Sequence, residues 1–347
     1  MNALYYTDVG KFEVKRLDIP ELKDNQVLVK VRLGGICGTD QHIHHGEFLS
    51  GYPLVPGHEI VGTVSRFGKD VKGFQEGDRV VADPMITCGA CLFCRRGKGQ
   101  LCEDFKALGV SGSEAFGGFA EFVVVQSKRL YKVDKLSDES AVMVEPTSCA
   151  MHGIDQLRLP AGSEVLLIGS GPTGIMIAQL LKLNGAVRVV LAAPAGPKLD
   201  LAKKLNLADE YISLDRVNAN AQWEELKQKN PSGFDAVIEA TGAESVVNDS
   251  INYVRWGGTL LVYSLYAVKD RVQWSPLKIC REEIQIIGSF AQTDCFPRAI
   301  AYLESGKLTT EGIVTNVFGI DEYQKALDLM ASRQCIKIAI RPATSTQ

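Results

Sequence analysis

Four cysteines crowd one short stretch of this chain as Cys88-x-x-Cys91-x-x-Cys94-x7-Cys102. Thiolates at that spacing suit a tetrahedral all-cysteine zinc site with no coordination position left open. Unrelated core cysteines would need apolar periodicity around them, and the intervening Gly89-Ala90, Leu92-Phe93 and Arg95-Arg96-Gly97-Lys98 have none. An iron–sulfur cluster uses the same ligand type, but nothing else in the chain suggests electron transfer. A zinc ion walled in by four thiolates cannot bind substrate, so this stretch reads as a lobe fastened by metal.

A second group has a different character. Gly35-Ile36-Cys37-Gly38-Thr39-Asp40 and Pro56-Gly57-His58-Glu59 offer a thiolate, an imidazole and a carboxylate. Zinc accepts all three, and a catalytic zinc typically keeps three protein ligands and one open position. His58 and Glu59 are adjacent, so on an extended segment they diverge; they reach one ion only from a bend, which Pro56-Gly57 could supply. Spacing leaves the bland alternatives standing: Cys37 as a small core residue, His58-Glu59 as a solvated pair after a turn. Glu145 sits in Val142-Met143-Val144-Glu145-Pro146, where a carboxylate must pair, or face a metal or a water.

The third group is backbone chemistry. Val165-Leu166-Leu167-Ile168 runs into Gly169-Ser170-Gly171-Pro172-Thr173-Gly174 and then an apolar helical pattern. That is strand, tight turn and helix, with glycines that turn the chain, admit a pyrophosphate and let helix pack on strand. The phosphate would sit at the positive end of the helix. An ordinary tight turn between strand and helix is the competing explanation.

These groups need elements to hold them. Val27–Leu33, Ile60–Val64 and Gly117–Val125 read as strands, and from Gly162 onward strands and helices alternate as in a doubly wound parallel sheet. Helices are expected at Ile175–Leu183, Lys198–Leu205, Trp223–Lys229, Phe296–Ser305 and Glu322–Ser332, with a last strand at Cys335–Pro342. A chain of 347 residues suits two domains. Its 46% hydrophobic and 23% charged content is ordinary for a globular protein, and a net charge of −3 gives no general attraction to nucleic acid or membrane. No apolar run is long enough to span a bilayer, and Met1-Asn2-Ala3-Leu4 begins no secretory signal. Nine cysteines without such a signal argue for reduced thiols and a cytoplasmic location.

Taken in order, Gly35-Ile36-Cys37-Gly38-Thr39-Asp40, Gly57-His58-Glu59, the four-cysteine lobe, Glu145-Pro146, Gly169–Gly174 and Glu239-Ala240-Thr241-Gly242 resemble the zinc-dependent medium-chain alcohol dehydrogenases, in the sorbitol and polyol branch. The resemblance implies an α/β protein: a GroES-like, mostly-β catalytic domain from residues 1–150 and 290–347, interrupted by a Rossmann doubly wound parallel-sheet domain at 151–289. It places active sites between the two domains. It implies that Cys37, His58 and Glu59 bind a catalytic zinc and that Glu145 binds it directly or through water. Cys88, Cys91, Cys94 and Cys102 would hold a structural zinc. Thr39 would take the substrate proton, and His42 would either end the proton relay or be a solvated histidine beside His44 and His45. Gly169, Gly171, Pro172, Thr173, Gly174 and Thr241 would line the dinucleotide. The resemblance also implies a homodimer or homotetramer.

Members that use NAD carry an acidic residue at the end of the second Rossmann strand, bonded to the ribose. Ala193 stands there, and Lys198, with Arg188 the weaker candidate, offers positive charge; NADP is therefore the expected cofactor, with NAD use and a solvated Lys198 as the alternative. The branch's Arg-Tyr pair for substrate hydroxyls is replaced by Phe290-Ala291-Gln292, which weakens sorbitol and leaves Gln292 as a candidate hydroxyl partner. A pentitol such as arabinitol or xylitol, oxidised to a ketose, is expected; sorbitol, butanediol or threonine oxidation with NAD is the alternative. Two non-enzymatic readings are weaker: a nucleic-acid-binding zinc module, which lacks a basic face, and an inactive dinucleotide-binding protein, which would have lost a metal ligand.

Overall fold

The computed structural model describes residues 1–47 and 50–342. Two compact units emerge, one from Met1–Ser148 with Thr293–Gln347, the other from Cys149–Gln292.

The central unit is built on strands with no polar face. Val165, Leu166 and Leu167 are fully buried, as are Val189, Val190 and Leu191 and Ala236, Val237 and Ile238. Runs like these, buried on both sides, belong in a parallel sheet covered by helices. Six parallel strands lie in the spatial order Glu210–Leu214, Arg188–Pro194, Glu164–Ile168, Phe234–Glu239, Val254–Val262, Gln285–Gly288. The order reverses beside Glu164–Ile168, and ligands of such sheets bind at that switch point, off the carboxyl ends of the strands.

The other unit is mostly β. Its main sheet orders Val314–Gly319, Lys337–Arg341, Gln26–Gly35, Glu59–Phe67, Arg79–Ala82 and Leu130–Lys132, with Phe122–Gln126 also pairing Gln26–Gly35. All these pairs are antiparallel except Val314–Gly319 with Lys337–Arg341. A ribbon of Met85–Ile86 with Lys106–Ala107 closes the neck of the cysteine lobe.

Helix ends fall within a residue of expectation at Pro197–Lys204, Phe296–Glu304 and Tyr323–Ser332; Pro172–Leu183 and Asn220–Lys229 each begin three residues early. The structure departs from the sequence reading at Val144–Leu157, a 14-residue helix where only a change of domain was visible. Pro146 masks it, yet proline is well tolerated in a first turn, where its missing N–H had no intrahelical partner anyway. Replacing the fully buried Phe234 by alanine should lower stability by about 3–5 kcal/mol, read by urea unfolding. Zinc content should not change, because every metal-binding candidate lies in the other unit.

Candidate active site and metal centres

Cys37 is separated by one residue from the Gln26–Gly35 strand and caps the helix Gly38–His44 in extended backbone conformation. Its N–H donates to Asp40 Oδ2 at 2.8 Å, which fixes the cysteine against the first helical turn. Before His58 the chain bends at Gly57, whose φ of 91° favours glycine and where a Cβ would stand 2.5 Å from the Phe119 ring. Glu59 opens the next strand. The bend brings neighbours in sequence onto one point: the ligand atoms of Cys37, His58 and Glu59 all lie within 4.8 Å of one another.

His58 is 7% and Glu59 0% exposed, so they are not a solvated pair. Among the described residues, His58 Nδ1 and Glu59 Oε2 are buried and have no hydrogen-bond partner. Orphaned donor atoms beside a sulfur are what a metal site requires, and this donor set fits zinc. Burial opposes protonation of His58, but contact with Cys37 and the charges of Asp40 and Glu145 outweigh it and hold the ring well above the usual histidine range. The same concentration of negative charge attracts a dication. Burial itself raises the carboxyl of Asp40.

Glu145 lies in the first turn of Val144–Leu157 and is not one of the three converging ligands, although its charge acts on His58 and Lys337. Thr39 Oγ1 is 3.7 Å from Cys37 Sγ. His42 is three residues on, on the same helical face, with Nδ1 2.9 Å from Glu47 Oε2.

In the cysteine lobe the four sulfurs also lie within 4.8 Å of one another, Cys91 and Cys102 at 3.9 Å. Zinc–sulfur bonds of about 2.3 Å in a tetrahedron put sulfurs about 3.8 Å apart. Backbone N–H groups of Ala90 and Cys91 point at Cys88 Sγ, that of Cys94 at Cys91 Sγ and that of Cys88 at Cys102 Sγ. Those donors favour thiolate, and the Cys94 N–H foremost lowers Cys91 to about 6. Desolvation and the neighbouring sulfurs hold Cys94 up at about 12. A dication among the four sulfurs would draw the proton from Cys94 and balance all four thiolates.

The dinucleotide segment divides its labour among three glycines. A Cβ on Gly169 would stand 2.7 Å from the Ala240 carbonyl, and one on Gly174 2.3 Å from the Gly169 carbonyl, whereas Gly171 faces open space. Pro172 opens the 12-residue helix, Thr173 is in its first turn, and no side chain caps it. Its terminal N–H groups are left for an anion. Thr241 is engaged: its N–H reaches Glu239 Oε1 at 2.7 Å and its hydroxyl bonds the same oxygen. The Tyr266 hydroxyl takes Glu239 Oε2. Ala193 is buried at the end of its strand, and Gln292 is 2% exposed.

Arg188 must be corrected. It starts its strand, at the end opposite the cofactor side, and is held by Asn230 at 2.7 Å and Glu210 at 2.9 Å. Lys198 is half-buried in the first turn of Pro197–Lys204. The basic group over the turn after Ala193 is Arg216, whose Nη2 donates to the Ala195 carbonyl at 2.9 Å. Sequence reading missed it because it follows a different strand. It also missed Asp40, whose spacing of three from Cys37 is a capping signal, and Lys337, which nothing in sequence marks.

Residues 23–135 match the family of the alcohol dehydrogenase GroES-like domain and residues 172–305 that of zinc-binding dehydrogenases. With both units and both cysteine-bearing clusters in place, the chain belongs to the zinc-dependent medium-chain dehydrogenase/reductase family, in its sugar-alcohol dehydrogenase branch. It is a zinc-binding, NAD(P)-linked oxidoreductase. D-arabinitol dehydrogenase 1 of Uromyces fabae is 57% identical over 99% of this chain and 97% of its own. D-altritol 5-dehydrogenase of Agrobacterium fabrum is 32% identical over 88% of each. A structure described as a zinc-binding dehydrogenase of Sinorhizobium meliloti, bound to NADP, superposes with a TM-score of 0.89 at 30% identity, covering 98% of this chain and 99% of that one. Among the described residues no helix is long and apolar enough to cross a membrane.

Elemental analysis should find two zinc ions per chain, one for each cluster. Cys37→Ser should remove one and abolish turnover; Cys91→Ser should remove the other and lower the melting temperature.

Proposed function

We propose that this enzyme interconverts a pentitol, such as arabinitol or xylitol, with the matching ketopentose, using NADP(H). The observation that carries the substrate is the 57% identity, along 99% of the chain, to a D-arabinitol dehydrogenase. The threonine dehydrogenases among the relatives stand at 33–34%. The cofactor rests on different residues. Ala193 supplies neither bonds to the ribose hydroxyls nor repulsion of a 2′-phosphate, and Arg216 sits over the turn that follows it. One relative of known structure is bound to NADP and another, 28% identical, is complexed with NADH, so this chain's own residues must decide.

Zinc held by Cys37, His58 and Glu59 would polarise the substrate hydroxyl, and the nicotinamide would take the hydride. Thr39 Oγ1, next to Cys37, takes the hydroxyl proton. His42, half-buried against Glu47, passes it to water. Glu145 biases the site with negative charge. The glycine turn and the uncapped helix hold the pyrophosphate. The all-cysteine site has no open position and serves the fold.

An edge supports an oligomer. Among the described residues Gln285–Gly288 ends its sheet with one pairing side open, and Trp256, Val268 and Leu277 are 64%, 60% and 71% exposed. A homodimer or homotetramer would cover them. Cysteines that form no disulfide among the described residues suit the cytoplasm.

A panel of tetritols, pentitols, hexitols, short diols and threonine, run with both cofactors, tests this reading. Pentitols with NADP should give the highest kcat/KM. Activity confined to threonine or primary alcohols, or a preference for NAD of about tenfold, would end it. Arg216→Ala should cut kcat/KM for NADP about 10–100-fold, as expected for a lost charge-assisted hydrogen bond, and leave NAD unchanged.

A further inference from the structure

Three neighbouring strands of the mostly-β unit bring Lys337, Gly35 and Glu59 to one face of the sheet. Gly35 pairs with Glu59 on one side and with Ala339 on the other. Lys337 lies two residues before Ala339 and so shares its face. The outer two strands are about 10 Å apart, twice the spacing between neighbours, and a lysine and a glutamate can meet across that distance only above a residue without a side chain. A Cβ on Gly35 would stand 1.9 Å from Glu59 Oε2 and 3.1 Å from Lys337 Cε. Over this gap Lys337 Nζ meets Glu59 Oε1 at 2.5 Å, the two side chains 4% and 1% exposed. The other oxygen of Glu59 has no partner among the described residues and belongs to the carboxylate that converges on Cys37 and His58.

A buried ammonium beside a dication site is an electrostatic liability, since it repels the ion the site is meant to hold. Its contact explains its presence. We propose that Lys337 is the built-in counter-ion of Glu59, a positioning residue that shares the carboxylate with the metal, one oxygen each, and keeps it paired when no metal is bound. This rests on the reading of Cys37, His58 and Glu59 as metal ligands. Without Lys337, a metal-free chain buries a carboxylate with no cation in contact, the costly case of a broken pair; in a loaded chain the metal is still there to compensate. The loss therefore falls mainly on the metal-free state, and by linkage the variant must bind zinc more tightly.

The test compares wild type, Lys337→Met and Lys337→Gln, each stripped of both metals and each reloaded, so that the cysteine lobe contributes alike to all. Melting temperatures and zinc affinity by chelator competition are measured on the full chain. Both variants should melt far below wild type when stripped and close to it when loaded, with zinc held about tenfold more tightly at the Cys37 cluster. Should Lys337→Met not fold without metal, the glutamine variant, which keeps a donor, shows the same direction with a smaller drop. Adding Glu59→Gln to Lys337→Met should restore stability to the stripped protein. Equal losses in the stripped and loaded states, or weaker zinc binding, overturn the proposal and make Lys337 a structural residue or one that aims Glu59 at the ion. If wild type carries no zinc at this cluster by elemental analysis, the ligand reading fails and this inference with it.

Discussion

Glu59 carries a carboxylate into a place water does not reach, and much of the mostly-β unit is arranged to permit that. Removing a carboxylate from water costs several kcal/mol even after relaxation, and only opposite charge in contact offsets it. Lys337 supplies that charge from a strand 278 residues further along the chain. The pair needs Gly35 between them, since any Cβ there would occupy the position of the Glu59 oxygen. It also needs the C-terminal strand Lys337–Arg341 to return and pair with Gln26–Gly35. Sheet order, one glycine and the metal-facing carboxylate are thus a single constraint.

Two sulfur-bearing sites in this unit handle charge in opposite ways. In the lobe of Cys88, Cys91, Cys94 and Cys102 the stabilising groups are backbone N–H donors supplied by local turns. That arrangement is self-contained and sits on a two-stranded ribbon. At Cys37, His58 and Glu59 one local group helps, Asp40 bonded to the Cys37 N–H, but the rest comes from distant side chains: Lys337 in contact with Glu59 and the charge of Glu145 on His58. A closed site needs only its own loop. A site that leaves room for a substrate must have its donors fixed from behind.

The Rossmann unit shows the same separation between local pattern and distant support. Steric contact explains Gly169 and Gly174, and the absence of contact explains Gly171. The end of the Phe234–Glu239 strand is held by a different device, a fully buried carboxylate taking the hydroxyls of Thr241 and Tyr266. Burial and that carboxylate raise the Tyr266 phenol far above its usual range, so it remains a donor. Thr241 thereby shapes the turn through Glu239, a role its place in the Glu239–Gly242 motif does not disclose.

Whatever depends on a few consecutive residues could be read from the sequence: the four-cysteine spacing, the strand–glycine–helix run, the bend at Pro56-Gly57 and the alternation of strands and helices. Each is a local matter of ligand reach, backbone freedom or apolar periodicity. Direction along a strand and neighbours across a sheet could not be read. Arg188 and Arg216 look alike as basic residues near the second and third Rossmann strands, yet one starts its strand and the other follows the next, which only the sheet's direction separates. Pro146 concealed the helix Val144–Leu157 because the same residue that breaks a helix interior is accepted in a first turn. Lys337 reads as one more charged residue in an apolar strand. Its meaning comes from the register that sets it across Gly35 from Glu59, and register between segments nearly 300 residues apart is fixed by packing of the whole unit rather than by any short run of its sequence.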